Sequence, residues 1–232
     1  MKVLITGAAG NIGTALIKAF DKSKYQIRGL DIRPMPLLTD TIVGDVTDFA
    51  TVSRATKDMD AVIHLTNVGG EWQQALQSIT GTYNVFESAH QNGVKTIAFA
   101  SRGGLFPQAR IPRKVQRTAD LLWFPDSYYT ITKVVGEGFG DMYSARYGMN
   151  VVSVRIGGYE PSGNPLIDPH QLSERDCVAA FEAAINYKGG KHERVFGVSD
   201  SNWQLYDVEH GRKAIGYYPK DKSVVPEEKI QR

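Results

Sequence analysis

The sequence predicts an α/β protein in which helices cover both faces of a doubly wound, parallel sheet. Short apolar strands alternate with amphipathic helices along the 232 residues, and this alternation is typical of the class. Residues 61–65 (AVIHL) form an uninterrupted apolar run, as expected of a strand buried on both faces. A glycine-rich turn directly follows the first strand. We therefore expect one domain, residues 1–232, with the strand order 3-2-1-4-5-6-7.

The individual elements follow from periodicity and from turn residues. Asp48 and Ser127 are N-cap residues ahead of helical patterns, and Gly93 and Gly148 end two helices. From Pro219 onward the chain is charged and is expected to be mobile. Strands are predicted at residues 2–6, 25–30, 41–43, 61–65, 94–100, 150–156 and 194–198, and helices at 14–20, 47–57, 71–91, 128–147, 173–187 and 207–215.

The turn after the first strand carries Gly7, Gly10 and Gly13, and the second strand leads into Asp31. Strand, glycine turn, helix, strand and acid is the order that a Rossmann-type dinucleotide site requires. Gly7 allows the tight turn, Gly10 lets the backbone approach a pyrophosphate, and Gly13 lets the helix pack closely on the strand. The pyrophosphate would lie over free N–H groups at the positive end of the helix. The alternative is a purely structural turn.

Asp31 also indicates which dinucleotide binds. A carboxylate at this position accepts hydrogen bonds from the adenosine ribose and repels a 2′-phosphate. Arg33 would favour NADP, but it precedes Pro34 and the sequence does not fix its direction. We therefore expect NAD as the cofactor. After the third strand, Asp45 and Val46 either contact the adenine or are ordinary loop residues.

Composition excludes several functional classes. A net charge of +2 argues against bulk nucleic-acid binding, because no face need be strongly basic. Cys177 is the only cysteine, so no internal disulfide or cysteine-rich metal site can form, and no metal is expected. No apolar run approaches the ~20 residues of a membrane span, and the first strand begins too early for a signal peptide. A cytoplasmic protein is expected.

Tyr129 and Lys133 are four residues apart in a predicted helix and therefore share one of its faces. After a dinucleotide fingerprint, this spacing marks a candidate catalytic pair. Tyrosine has an ordinary pKa of ~10 and is a poor base near neutrality, but a nearby ammonium favours tyrosinate. The lysine can also hold the nicotinamide ribose. Tyr128 has Thr132 in the place of the lysine, and His64 is predicted to be a hydrogen-bonded core histidine.

The chain resembles the extended short-chain dehydrogenase/reductase family along nearly its whole length. The matching pieces are GAAGNIG (7–13), Asp31, GDVTD (44–48), HLTN (64–67), FAS (99–101) and YTITK (129–133). It is more closely similar to uronate dehydrogenases and related NAD-dependent sugar dehydrogenases, through DSYYTITKVVGE (126–137), VRIGG (154–158) and LSERD (172–176). The resemblance implies oxidation of a sugar hydroxyl, for uronates at the anomeric carbon, to a lactone. Tyr129 would remove the hydroxyl proton while NAD takes the hydride.

Three positions depart from the uronate dehydrogenases. Alignment of FAS places Arg102 where the family has a catalytic serine, and strand alternation points the adjacent Ser101 to the other face. Gly69 lies near the place of a substrate-binding serine, and Ile167 near that of the arginine that binds the sugar carboxylate. Arg102 would bring positive charge to Tyr129 and to an acidic substrate. Alternatively it points into water, and Ser101 serves in its place.

Other segments are expected to complete the site. Residues 157–180 and 199–215 are predicted to form a small C-terminal portion that caps the substrate pocket. The loop after the fifth strand is locally basic and is either solvated or binds an anion. Its basic residues are Arg110, Arg113, Lys114 and Arg117.

The leading functional expectation is an NAD-dependent oxidoreductase that oxidises a uronate-like or other acidic sugar. The alternatives are a sugar-nucleotide epimerase or dehydratase, and a regulatory relative that binds NAD without turnover. The apolar faces of helices 71–91 and 128–147 predict a homodimer. The predicted catalytic residues are Tyr129, Lys133, Ser101 and Arg102, and the predicted cofactor-binding residues are Gly7, Gly10, Asn11, Ile12, Gly13, Asp31, Asp45, Val46, Leu65, Thr66, Asn67, Tyr129, Lys133 and Ile156.

Overall fold

The computed structural model of the protein describes residues 1–67, 69–105, 111–112 and 115–230. The strands are β1 (Lys2–Thr6), β2 (Gln26–Asp31), β3 (Thr41–Val43), β4 (Ala61–His64), β5 (Thr96–Arg102), β6 (Asn150–Ile156), β7 (Gly158–Glu160), β8 (Gln171–Ser173), β9 (His192–Gly197), β10 (Asp200–Ser201) and β11 (Lys222–Ser223). The helices are α1 (Asn11–Ala19), α2 (Phe49–Thr56), α3 (Trp72–Gln91), α4 (Tyr128–Tyr147), α5 (Glu174–Asn186), α6 (Val208–Ile215) and α7 (Glu227–Ile230).

Seven strands form the central sheet in the order β3-β2-β1-β4-β5-β6-β9. Every pair of neighbours in it is parallel. Because β9 is the seventh strand of this sheet along the chain, the predicted doubly wound order is confirmed.

The core lies on both faces of the sheet. On one face, Ile5 of β1 belongs to a buried cluster with Leu16 of α1 and Phe181 of α5. On the other, Leu4 belongs to a cluster with Phe86 of α3. Neighbouring residues of β1 thus enter opposite cores, which explains why the central strands read as continuous apolar runs.

Two short parallel pairs, β7 with β8 and β10 with β11, extend the C-terminal portion. They bring the segments 157–180 and 199–215 to the carboxyl ends of β5, β6 and β9. The prediction of a mobile end is wrong for residues 220–225. The backbone N–H groups of Lys220 and Asp221 donate to the carboxylate of Asp176, and Val225 is buried. Because these hydrogen bonds are donated by backbone N–H groups, the pattern of charged residues in the sequence does not reveal them.

Within the described residues, each helix is either too short or too polar to serve as a membrane span.

A buried carboxylate on α4 joins three strands of the sheet. Glu137 accepts hydrogen bonds from Arg155 of β6 through both oxygens, each at 2.9 Å. It also accepts from Arg194 of β9 at 3.0 Å and from the Ser101 hydroxyl of β5 at 2.7 Å. Burial would raise the pKa of Glu137, but the arginines and these hydrogen bonds hold it below its usual value. Glu137 is therefore ionised, and its ion pairs with Arg155 and Arg194 fix α4 against the sheet.

We expect Glu137→Gln to lower the free energy of unfolding by about 3–5 kcal/mol, because removing one partner leaves the buried Arg155 charge uncompensated. Urea denaturation followed by circular dichroism measures this loss. The control is Glu209→Gln in α6, because Glu209 is 55 % exposed in its pair with Arg212 and solvent screens that pair. Equal shifts in the two denaturation midpoints would contradict the role assigned to Glu137.

Candidate active site

The glycine turn leaves the start of α1 open to an anion. Gly7 has a positive φ of 71°, and a Cβ on it would lie 3.0 Å from the backbone nitrogen of Thr66. A Cβ on Gly13 would lie 2.6 Å from the carbonyl oxygen of Gly7. Helix α1 can therefore pack this closely on the turn only if residue 13 is glycine. Gly10 is the N-cap of α1, and no side chain caps the helix. The first N–H groups therefore face the groove.

Two cavities form one groove along the carboxyl ends of the strands. One, of about 540 Å³, lies between the glycine turn and α4, and the other, of about 430 Å³, lies at the ends of β2 and β3. They share Gly7, Gly10, Leu65 and Asn67. All the predicted cofactor-binding residues line the groove: Gly7, Gly10, Asn11, Ile12, Gly13, Asp31, Asp45, Val46, Leu65, Thr66, Asn67, Tyr129, Lys133 and Ile156.

The residues at the adenosine end fit a dinucleotide. One carboxylate oxygen of Asp31 accepts from the backbone of Ala9 at 3.0 Å. The other accepts from the backbone N–H of Arg33 at 3.0 Å and from its side chain at 3.3 Å. The Thr66 hydroxyl is buried without a hydrogen-bond partner among the described residues, and Thr66 lines this cavity. A ligand hydroxyl or phosphate would satisfy it.

Helix α4 presents the predicted catalytic pair to the other end of the groove. The Nζ of Lys133 lies 5.6 Å from the centre of the Tyr129 ring and donates to the carbonyl oxygen of Ala100 at 2.8 Å. Burial lowers the pKa of Lys133 to about 7. Burial also raises the pKa of Tyr129 above its usual value, and this effect outweighs the opposite effect of Arg102. Lys133 therefore does not lower the pKa of Tyr129 in this geometry, although the sequence led us to expect this.

Strand β5 runs through Arg102, so Ser101 and Arg102 alternate in direction. Ser101 lines the cavity with Tyr129, but its hydroxyl is buried and donates to Glu137. This hydrogen bond gives Ser101 a structural role, and its catalytic role stays a prediction. The Arg102 guanidinium lies 5.7 Å from the centre of the Tyr129 ring. It contacts the Thr130 hydroxyl and pairs with Asp126 at 3.3 Å. The Arg102 guanidinium therefore lies beside the Tyr129 ring.

Tyr128 and His64 are predicted from the sequence to have no catalytic role, and their contacts agree with this. Tyr128 is exposed and its ring packs 5.6 Å from that of Trp72. His64 is buried, with its ring nitrogens hydrogen-bonded to Thr6 at 2.7 Å and Thr82 at 3.1 Å. Burial lowers the pKa of His64 to about 3. The prediction of a satisfied core histidine is confirmed.

A third cavity, of about 660 Å³, adjoins the cavity that Tyr129 lines, because the two share Arg102 and His170. Residues from both predicted capping segments line it, among them Asp168, His170 and Tyr206. Arg117 also lines it, but this buried side chain donates to the backbone carbonyls of Ile111, Pro112 and Val115. It thereby shapes the wall. The other basic residues of that loop, Arg110, Arg113 and Lys114, lie outside the described residues.

Sequence reasoning missed His170, which lines both the cavity that contains Tyr129 and the third cavity. It lies in a turn-rich segment without periodicity, so no pattern singles it out. Ile167, near the place of the arginine that binds the sugar carboxylate, is 45 % exposed. Gly69 donates its N–H to the Asn67 side chain at 2.7 Å. Neither residue supplies a polar side chain to the site.

Comparison with known proteins gives a consistent result. The model of the NAD dependent epimerase/dehydratase family matches residues 3–210. Uronate dehydrogenase from Pseudomonas putida is 34% identical, over 96% of this chain and 85% of that protein. NAD-dependent glucose-6-phosphate dehydrogenase from Haloferax volcanii is 31% identical, over 95% of this chain and 94% of that protein. A solved structure of a tyrosine-to-alanine variant of Agrobacterium tumefaciens uronate dehydrogenase, complexed with NAD, matches with a TM-score of 0.84 at 26% identity, covering 96% of this chain and 85% of that one.

The chain belongs to the NAD-dependent epimerase/dehydratase family. Within that family it is an oxidoreductase of the NAD-dependent dehydrogenase type, and NAD is its cofactor. The predicted fold class, the resemblance and the cofactor are confirmed.

We expect Asp31→Ser to weaken NAD binding and to improve NADP binding. The substitution removes the carboxylate that repels a 2′-phosphate, and it releases the Arg33 side chain, which is 60 % exposed, to pair with that phosphate. Titration calorimetry with both dinucleotides measures the change. Arg33→Ala alone should leave NAD affinity nearly unchanged, and Asp31→Ser combined with Arg33→Ala should lose the gain in NADP affinity. Tighter binding of NADP than NAD by the parent protein would contradict this role of Asp31.

Proposed function

We propose that this protein oxidises a hydroxyl of an acidic sugar, with a uronate-like sugar oxidised at the anomeric carbon to a lactone as the leading case. The observation that carries the proposal is the convergence of Tyr129, Lys133 and Arg102 at one end of a dinucleotide groove. Its relatives include proteins named uronate dehydrogenase and glucose-6-phosphate dehydrogenase, whose named substrates both carry an acidic group. NAD, when bound, accepts the hydride.

Tyr129 is the general base in this proposal. Its phenolate form takes the proton of the sugar hydroxyl in the transition state and becomes the neutral phenol. The phenolate form has to be stabilised by nearby positive charge, because burial raises the pKa of Tyr129. The Arg102 guanidinium opposes that rise and also stabilises negative charge on the reacting oxygen. Lys133 orients the nicotinamide ribose, and its charge, when the amine is protonated, favours the phenolate.

A panel of acidic and neutral sugars, assayed for NADH formation, tests the proposed function. Tyr129→Phe should lower kcat by about 10²–10⁴-fold, the usual contribution of general acid–base catalysis, while NAD affinity stays nearly constant. Lys133→Ala should weaken both turnover and NAD binding. Tyr128→Phe is the matched control, because that neighbouring tyrosine packs on Trp72 and should tolerate the change.

NADH formation surviving in Tyr129→Phe but lost in Tyr128→Phe would overturn the assignment of the base. Absence of turnover with every sugar, despite tight NAD binding, would favour a regulatory relative.

We also propose that the protein is a homodimer. Helices α3 and α4 pack side by side, and large apolar side chains stay exposed on both. They are Trp72, Leu76 and Tyr83 on α3 and Tyr128, Ile131, Met142 and Tyr147 on α4. A second copy that covers this face would remove the apolar surface from water.

Light scattering on a size-exclusion column at micromolar concentration should give about twice the chain mass of 25.6 kDa. Leu76→Glu should shift the protein to monomer, because it places a charge on the apolar face. Val224→Glu, at a residue that is 66 % exposed in the C-terminal portion, should leave the dimer intact. A monomeric parent protein would remove this proposal.

A further inference from the structure

Only two described residues, Arg102 and His170, line both the catalytic cavity and the adjoining cavity of about 660 Å³. They therefore lie at the boundary between the cavity that contains Tyr129 and this second cavity. That second space is within the ~300–1,000 Å³ of ordinary small-molecule sites. A substrate held at Tyr129 can extend past the boundary into it.

The backbone holds His170 at this boundary. Its carbonyl oxygen accepts the N–H of Gly158 at 2.8 Å, and its N–H donates to the Asp168 carboxylate at 2.8 Å. A Cβ on Gly103 would lie 2.9 Å from the His170 ring, so the residue after Arg102 leaves room for the imidazole. The ring also lies 5.2 Å from the ring of Tyr206. These contacts hold His170 at the boundary.

The His170 ring offers an unused hydrogen-bonding atom. Its Nδ1 is buried and has no hydrogen-bond partner among the described residues. Burial lowers the pKa of His170, against the opposing effect of Asp168 and with the help of Arg102. The neutral ring is thus the main form near pH 7 and can donate or accept one hydrogen bond at Nδ1, depending on its tautomer. A buried polar atom of this kind normally has a partner.

The charge at the boundary favours an anion. Among the described residues that line the second cavity, Arg102 and Arg117 are cationic and Asp168 supplies the one carboxylate. Arg102 pairs with Asp126, whose side chain is 62 % exposed. Exposed ion pairs are weak, so an anionic group of a substrate can replace Asp126 on the guanidinium at low cost. Trp203 and Leu205 add apolar wall for the remainder of a ligand.

We infer that His170 is a specificity-determining residue which, with Arg102, binds an acidic group of the substrate at the mouth of the second cavity. This inference rests on the proposed function for the identity of the ligand as a sugar. The acidic group, a carboxylate or a phosphate, lies away from the reacting hydroxyl and points toward the second cavity. Arg102 supplies the charge, and His170 supplies a directional hydrogen bond that distinguishes an acidic sugar from a neutral one.

Titration calorimetry on the Tyr129→Phe protein with saturating NAD tests the inference without turnover. The probes are glucuronate, glucose 6-phosphate, glucose, maltose and UDP-glucose. One of the two acidic monosaccharides should bind at least about tenfold more tightly than glucose, the size of effect expected for a hydrogen bond to a charged group. Which of the two binds better identifies carboxylate or phosphate as the preferred group.

The same titrations on added variants assign the effect to residues. His170→Phe keeps a ring but removes the nitrogen atoms. It should weaken binding of the acidic sugar about tenfold while the affinity for glucose stays the same. His170→Asn restores a side-chain hydrogen bond and should recover part of the loss. Arg102→Ala should abolish the preference for the acidic sugar. His210→Phe is the control, since His210 of α6 pairs with Glu193 and does not line either cavity. Thermal denaturation checks that each variant is folded.

Unchanged affinity for acidic sugars in a folded His170→Phe, tighter binding of maltose or UDP-glucose, or no sugar binding at all would each overturn the inference. Failure of the proposed function gives a different result. In that case the protein without the Tyr129 substitution forms no NADH from any sugar, while the acidic sugar still binds and still depends on His170.

Discussion

The fold around the active site depends on the neutralisation of one buried carboxylate. Glu137 lies one turn after Lys133 on α4, and burial opposes its charge unless cations and hydrogen-bond donors surround it. Arg155, Arg194 and Ser101 supply them from β6, β9 and β5. Because these donors sit on three adjacent strands, the position of α4 along the sheet is fixed. That position presents Tyr129 and Lys133 to the carboxyl ends of the strands, where the groove lies. Arg155 also donates to the carbonyl oxygen of Ala119 at 2.8 Å and so attaches part of the loop after β5 to the same network.

This arrangement explains the division of work between Ser101 and Arg102. Successive side chains of a strand point to opposite faces, and β5 remains regular through Arg102. Ser101 therefore faces the sheet–helix interface, where Glu137 needs a donor, and the next residue faces the groove. An arginine in that position reaches further than a serine and carries a fixed charge. Its guanidinium pairs with Asp126, just before α4, and also lies 5.7 Å from the centre of the Tyr129 ring.

Much of the fold could be predicted from the sequence, because periodicity and glycine positions express local physics. The strands of the sheet are short apolar runs, and Gly7 and Gly13 mark contacts that a Cβ would prevent. All the predicted lining residues of the cofactor groove lie in it, since the carboxyl ends of parallel strands meet at one edge. What depends on long-range contacts could not be predicted. The role of Ser101 requires knowledge that Glu137 lies below it, 36 residues later. His170 and the order of residues 220–225 depend on partners on other elements, and a turn-rich or charged segment looks the same with or without them.

Burial disfavours the charged form of both Tyr129 and Lys133. It raises the pKa of Tyr129 and lowers that of Lys133 to about 7. A buried tyrosine and a buried lysine cannot activate each other while both are neutral. Negative charge from a bound dinucleotide or an acidic sugar favours protonated Lys133, and the guanidinium of Arg102 is always available to favour the phenolate. In the proposed function, an acidic substrate that replaces Asp126 on Arg102 leaves the guanidinium paired with one anion, as Asp126 does. The exchange therefore keeps the effect of the guanidinium on the Tyr129 ring, 5.7 Å away.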